Sequence, residues 1–342
     1  MMKKILATAT LLAAASAFAG NPVRSGSAGA SELLVNPWAR TAGWGEGNTA
    51  NVRGFEGLYG NVAGIARIDG LHAGFANTQW LVGSGISLNA GSLITPTGNG
   101  GVLGIHMNSM NYGDIEVTTE DQPDGGLGSY RPSATVIGIA YAKKFTQSIF
   151  GGINIKLYNS TINNLSATGV CFDAGVQYVP KDIKDFAFGI TMRNIGPSFS
   201  YRGDGLSIVL PVPTGLYTNS FQNRSEDFEL PTQLAIGASK GFTLMEGHKL
   251  TLAGNFISNS FKKDQFTVGA EYAYKELFAL RASWAQFDNR FDALRTEALT
   301  GPAAGFTFNI PMGDGKLDLS YAYRMTNTAF GGIHTVGTAI VL

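Results

Sequence analysis

The feature that most constrains this chain is a two-residue alternation recurring from His72 to the C-terminus. Between Lys316 and Met325, the residues Leu317, Leu319, Tyr321, Tyr323 and Met325 share one face of an extended segment, opposite Lys316, Asp318, Ser320, Ala322 and Arg324. Gln265 to Tyr274 repeats the pattern, with Phe266, Val268, Ala270, Tyr272 and Tyr274 against Gln265, Thr267, Gly269, Glu271 and Ala273. Phe278 to Ala285 and Phe186 to Arg193 do the same. One face is apolar or aromatic each time, and the other is small, polar or charged. Beyond the N-terminus no apolar stretch approaches the ~20 residues of a membrane helix, so any membrane span must be made of strands.

Strands are predicted near 72–81, 86–96, 100–118, 135–145, 148–163, 168–179, 186–200, 232–242, 248–262, 264–275, 277–287, 301–311, 315–328 and 332–342. Their number, about fourteen, is even, as a bacterial barrel requires. Connection lengths sort by side, except for the short Ser260 to Asp264 connection on the outer side. Thr119 to Ala134, Tyr201 to Thr232 and Asp288 to Thr300 are long, whereas Phe145 to Gln147, Tyr274 to Leu277 and Pro311 to Gly315 are short. Short inner turns and long outer loops are the barrel arrangement, and they place both termini in the periplasm and the long loops outside the cell. The last strand is amphipathic, with Val336, Thr338, Ile340 and Leu342 on one face.

Composition agrees with lipid-facing strands. Charged residues make up only 15% of the chain and 45 residues are Gly, against about 25% charged and about 7% Gly in soluble domains. Met1-Met2-Lys3-Lys4, the apolar run Ile5 to Ala15, and Ala17-Phe18-Ala19 before Gly20 read as a secretory signal peptide over residues 1–19. The expected location is therefore the outer membrane of a Gram-negative cell, in contact with its lipid. Balanced charge, 25 basic against 25 acidic residues, gives no nucleic-acid footprint. One Cys and four scattered His residues offer no metal-ligand spacing. With no G-x-S-x-G, Walker A or H-E-x-x-H pattern, no enzyme and no cofactor are expected.

Residues 20–71 lack the alternation, and a barrel of this size leaves a lumen to be filled or left open. An N-terminal plug is the expected use of this segment, ahead of a barrel domain over 72–342. Inward charges are expected to form structural pairs across the wall. Glu271 falls opposite Arg281 if the hairpin turns at Glu276, and a turn centred just after Asn164 pairs Lys156 with Asp173. The apolar stretch in the loop 201–231, with Leu206, Ile208, Val209, Leu210, Val212, Leu216 and Tyr217, reads either as a partner-binding surface or as a lid over the barrel mouth.

The chain resembles the PorV/PorQ family of the type IX secretion system, which in turn looks like the FadL type of fourteen-stranded barrel. The resemblance is carried by Ala39-Arg40-Thr41-Ala42-Gly43 and by the run Gly57 to Ala66, which holds the candidate plug residues Gly57, Tyr59, Asn61, Ala63 and Gly64. Met110 to Ile115, Arg193-Asn194-Ile195-Gly196, Leu230 to Gly237, Val268 to Tyr272 and Arg281 extend it through nearly the whole mature chain. The family segment usually reads Asn-Pro-Ala where this chain has Asn61-Val62-Ala63, so the kink that Pro would fix is absent. The resemblance implies an all-β, transmembrane antiparallel barrel with an N-terminal plug. It also implies a partner in protein secretion: cargo carrying C-terminal signal domains, or other outer-membrane proteins of the translocon or attachment complex. The alternative function is a FadL-type transporter of hydrophobic small molecules. An apolar tunnel with a lateral wall opening would favour transport, and a tightly filled lumen with an apolar outer face would favour partner binding.

Overall fold

The computed structural model describes residues 24, 26–212, 215, 217–275, 277–288 and 297–342. The signal-peptide expectation for 1–19, the turn residue Glu276 and the candidate Leu216 lie outside the described residues.

In chain order the strands are β1 (His72–Trp80), β2 (Ile86–Gly98), β3 (Gly101–Asn111), β4 (Ile115–Glu116), β5 (Ser129–Tyr130), β6 (Ser133–Lys144), β7 (Ile149–Ile162), β8 (Leu165–Tyr178) and β9 (Phe186–Ile195). They continue with β10 (Ser207–Pro211), β11 (Thr218–Gln222), β12 (Gln233–Met245), β13 (His248–Asn259), β14 (Gln265–Tyr274), β15 (Phe278–Phe287), β16 (Gly301–Met312), β17 (Gly315–Arg324) and β18 (Ile333–Val341). Fourteen of these close into one antiparallel barrel, which β1 and β18 complete by pairing with each other; β4–β5 and β10–β11 are separate two-stranded hairpins in loops. Each barrel strand has 9 to 14 residues, enough for a tilted strand to cross the bilayer core.

The alternation sets the two faces. On β6 and β7 the side chains of Ile137, Ile139, Ile153, Ile155 and Leu157 stand outward and exposed, while Ala140, Ala142, Asn154 and Lys156 are buried inward. On β17, Leu319 and Tyr323 face out, and Asp318, Ala322 and Arg324 face in. An apolar band of this extent around a closed barrel is stable against lipid and not against water, so the barrel spans a membrane of the outer-membrane kind. Closure gives each barrel strand a neighbour on both sides, as spanning strands require.

Several strands end earlier than the alternation predicts, for local reasons. β3 stops at Asn111, not near 118, because Gly113 turns with φ 82 and donates its N–H to Asn111 Oδ1 at 2.8 Å. Ile115 and Glu116 then pair within the loop. β9 stops at Ile195, not near 200: Asn194 takes φ 60, and the β8–β9 register slips by one residue between the Phe172–Ile195 and Ala174–Met192 pairs. β8 starts earlier than expected, at Leu165, across a tight turn with Asn163 at φ 49.

The short turns at Asn99, Phe145 to Ser148 and Glu246 share one end of the barrel with the start of β1 and the end of β18; the loop 112–132, the described parts of 196–232, and the tight turns at Asn163 and 260–264 are at the other.

Residues 30–66 form only short helical turns: Ser31–Leu34, Ala39–Gly43, Gly54–Glu56, Gly57–Gly60 and Val62–Ala66. Their side chains pack against the inward face of the wall from many sides. Ala39 lies against Gly337 of β18, Trp44 against Gly269 of β14, Leu58 against Gly104 of β3, and Asn61 against Gly175 of β8. A segment that touches opposite walls of a closed barrel occupies its interior. Trp38, Phe55, Leu58, Val62 and Ile65 form its apolar core together with Ile94, Val102 and Ala140 of the wall.

Candidate functional site

The centre of the lumen is held by buried charge. Glu46 lies between two guanidinium groups, with Arg324 Nη1 at 3.5 Å and Arg193 Nη2 at 3.8 Å. Arg193 comes from β9 and Arg324 from β17, so one carboxylate on the inner segment ties distant parts of the wall together. Arg193 also donates to Tyr59 O at 3.1 Å and to Gln233 Oε1 at 2.5 Å, and it stacks on the Tyr59 ring at 4.5 Å. Burial, acting with the nearby Glu46 carboxylate, pushes the Tyr59 phenol far above its ordinary range, so it stays a neutral donor, here to Leu34 O at 2.8 Å.

Asn61 is fully buried and supplies a second tie. Its Nδ2 donates to Thr49 O, to Val176 O of β8 and to Ile190 O of β9 at 3.1–3.3 Å, while its Oδ1 caps the next turn by accepting from Ala63 N. A third set is centred on Glu56, which accepts from Arg40 N, Thr41 N and Thr41 Oγ1; Arg40 Nη2 reaches Asp318 of β17 at 2.8 Å. The remaining candidates of the inner segment are packing positions. Ala63 is wholly buried, and a Cβ at Gly57 or Gly64 would stand 3.1 Å from Ile65 N or 2.4 Å from Val52 O.

Among the wall charges, Glu271 and Arg281 are register partners and bond at 2.5 Å, and Arg281 adds Thr307 Oγ1 at 2.7 Å. Lys156 and Asp173 bond at 2.6 Å but are not opposite each other: Lys156 pairs with Cys171, and Asp173 with Asn154. The tight turn lies between Asn163 and Asn164, one residue earlier than a Lys156–Asp173 pairing requires, and the long Lys side chain bridges the diagonal. Asp173 Oδ1 also accepts from Asn194 N, the residue at the β9 irregularity.

At the long-loop end, the tip of the 196–232 loop stands out as the β10–β11 hairpin. Ile208, Val209, Leu210 and Tyr217 are exposed, Val209 and Tyr217 by more than 60%, while Leu206 and Val212 are half-buried. The base of the same loop turns inward. Phe199, with Phe228 and Tyr201 beside it, packs on Tyr158, a cluster that sequence reading did not pick out. Glu32 of the inner segment accepts from the Tyr112 and Tyr158 hydroxyls beneath it.

Free space is unevenly divided. The cavities at the long-loop side hold about 30 and 20 Å³, room for a water molecule or so. At the short-turn end a vestibule of about 1080 Å³ opens between the inner segment and the wall, bordered by Arg53, Arg67, His72, His248 and Lys316. No group of His, Cys, Asp and Glu among the described residues is arranged to hold a metal ion. Sequence reading puts Arg193 and Arg324 on the inward face but gives them no partner, and it passes over Glu46. The usable signal was an isolated Arg on an inward face, as at Arg193 and Arg324, since each such group needs a buried carboxylate.

No family model matches the chain, and no curated protein matches it. Solved structures do. The chain is similar to the toluene transporter TodX of Pseudomonas putida at TM-score 0.58 and 11% identity, with 90% of this chain and 97% of that one covered. It is similar to the CymD monoaromatic hydrocarbon channel at TM-score 0.56 and 13% identity, with the same coverage of both chains. The toluene transporter TbuX of Ralstonia pickettii gives TM-score 0.53 at 13% identity, again over 90% and 97% of the two chains. At these identities the likeness is one of fold: a fourteen-stranded outer-membrane barrel.

Proposed function

We propose that this chain is an outer-membrane barrel plugged by its N-terminal segment, which works by binding a protein partner at its long-loop end in secretion of the type IX kind. In this reading the short-turn end is periplasmic and the long loops are extracellular. The observation that carries it is the closed middle of the lumen, where Glu46, Arg193, Arg324, Tyr59 and Asn61 interlock, under an outer hairpin that exposes Ile208, Val209, Leu210 and Tyr217. The family resemblance of the sequence supports the same reading. Aromatic and branched apolar groups standing in water at a loop tip suit a contact that removes them from it.

A second reading is transport of small hydrophobic molecules. The fold shared with TodX, CymD and TbuX favours it, and the comparisons support it better than they support secretion. The large vestibule is compatible with it. Against it stands the pairing of β3 with β6, which runs without a break from Gly101 to Asn111; the wall is interrupted at β8, whose pairing with β9 begins only at Phe172, with Ser166 bonded instead to Arg202 of the following loop.

Purification of the tagged protein from its native outer membrane in mild detergent, with mass spectrometry of what accompanies it, separates the two. Recovery of a translocon barrel or of cargo with C-terminal signal domains, lost in I208S/V209S, supports secretion. Recovery of the barrel alone, together with toluene uptake into proteoliposomes, overturns it in favour of transport.

A further inference from the structure

The arginines facing the lumen divide into two kinds. Arg40, Arg193, Arg281 and Arg324 each have a carboxylate within an ion-pair distance: Asp318, Glu46, Glu271 and Glu46 respectively. Arg53 and Arg67, which border the vestibule, have none among the described residues. Arg67 instead donates through Nη1 to the neutral Gln177 Oε1 at 3.1 Å and lies over the Phe150 ring at 5.7 Å. Gln177 is itself fixed, with Nε2 donating to Thr49 O and Val52 O at 3.0 Å each. The guanidinium is therefore held in place by a carbonyl and an aromatic face, and its other donors are left to the vestibule.

Arg53 reinforces the same charge. Burial in the vestibule wall, with Arg53 nearby as a second cation, pushes the Arg67 group down to about 10, the direction expected where like charge accumulates without compensation. Neither acid close in sequence compensates this charge: the Glu56 carboxylate is taken up by Arg40 N, Thr41 N and Thr41 Oγ1, Asp69 is exposed, and among the described residues neither forms an ion pair with Arg53 or Arg67. Across the vestibule lining, seven Lys and Arg side chains face five Asp and Glu, a surplus of two in a chain that is neutral as a whole.

We propose that Arg53 and Arg67 form a binding site for a phosphate-type oxyanion entering through the mouth of the vestibule at the short-turn end, either as a free anion or as the headgroup of an anionic phospholipid. Two guanidinium groups offer paired donors in the planar geometry that phosphate oxygens accept. The vestibule has room for a headgroup, and it opens at the short-turn end of the barrel. The inference does not depend on which function the long-loop end serves.

The test uses the full mature protein in maltoside micelles, titrated calorimetrically with inorganic phosphate at low salt. In a second arm, the protein is extracted from phosphatidylglycerol-containing nanodiscs and its retained lipid is read by native mass spectrometry. R53Q and R67Q are compared with R131Q, whose arginine pairs with Asp114 in an outer loop. Phosphate affinity weakened about ten-fold or more in R53Q and R67Q, and unchanged in R131Q, establishes the site with a free anion. Lipid retention lost in the same two variants without phosphate affinity assigns the headgroup instead. Equal behaviour of wild type, R53Q and R67Q in both arms overturns the proposal. Because Arg53 is exposed and makes no hydrogen bond, R53Q keeps the test open even if R67Q does not fold.

Discussion

The wall and the segment inside it are built by opposite rules. Each strand of the wall follows from its own residues: a period-two pattern puts Ile137 and Ile139 toward lipid and Ala140 and Ala142 inward, and the backbone finds its partners in the next strand. The inner segment has no such autonomy. Its longest helical turns have five residues, far below the ~12–15 that an isolated helix needs. It is held by sockets and ion ties that only the wall provides, so the wall can be expected to form without the segment, but not the segment without the wall.

The largest effect should come from deleting residues 30–66. The intact protein should show little conductance in a planar bilayer, and the deletion a large open channel, because nothing else among the described residues crosses the middle of the lumen. Equal conductance would break the comparison at its root. Next is E46Q, which leaves Arg193 and Arg324 buried without their shared counter-charge, at a cost of about 3–5 kcal/mol. Since the loss falls on the docking of the segment, protease cleavage within 30–66 should rise sharply while the β-sheet circular dichroism of the wall stays intact.

A smaller effect should separate two wall glycines. A Cβ at Gly175 would stand 2.1 Å from Asn61 Oδ1, whereas one at Gly91 meets nothing within 4 Å. G175A should therefore destabilise the protein in detergent by about 1–3 kcal/mol, read as a lower thermal midpoint, and G91A should leave that midpoint unchanged. The smallest lies on the wall alone. Asp185, in a short turn, has its carboxyl held below the usual aspartate range by the hydrogen bond from Lys249 Nζ at 2.5 Å. A folded value below the unfolded one means stability that is present at neutral pH and lost as pH falls through the folded value, below about 4. D185N, which keeps a side chain suited to the φ of 55, should melt slightly below wild type at pH 7, and the difference should narrow as the pH falls below about 4.

How much could be read in advance follows the same division. The Glu271–Arg281 pair was legible because the β14–β15 connection is short and the register runs unbroken from it. Lys156 and Asp173 were legible as companions but not as diagonal ones, because a one-residue change in the turn at Asn163 moves every partner along β7 and β8. The end of β9 was overestimated because its alternation runs past Ile195, while the left-handed Asn194 and the slip beside Asp173 stop the pairing. Glu46 gave no signal at all. In sequence it is one acid within Gly43-Trp44-Gly45-Glu46-Gly47, and its importance comes from two arginines 147 and 278 residues away.

The sequence by itself determined the barrel: the number of strands, which face of each meets lipid, and which connections are long. A membrane imposes one solvent on the whole outer surface, and period-two hydrophobicity is the direct imprint of that solvent on the chain. Tertiary structure alone decided what fills the lumen and what is left open. Glu46 finding Arg193 and Arg324, Asn61 reaching the carbonyls of Val176 and Ile190, and Arg53 and Arg67 facing a vestibule without a carboxylate depend on closure, which brings residues far apart in the chain within bonding distance.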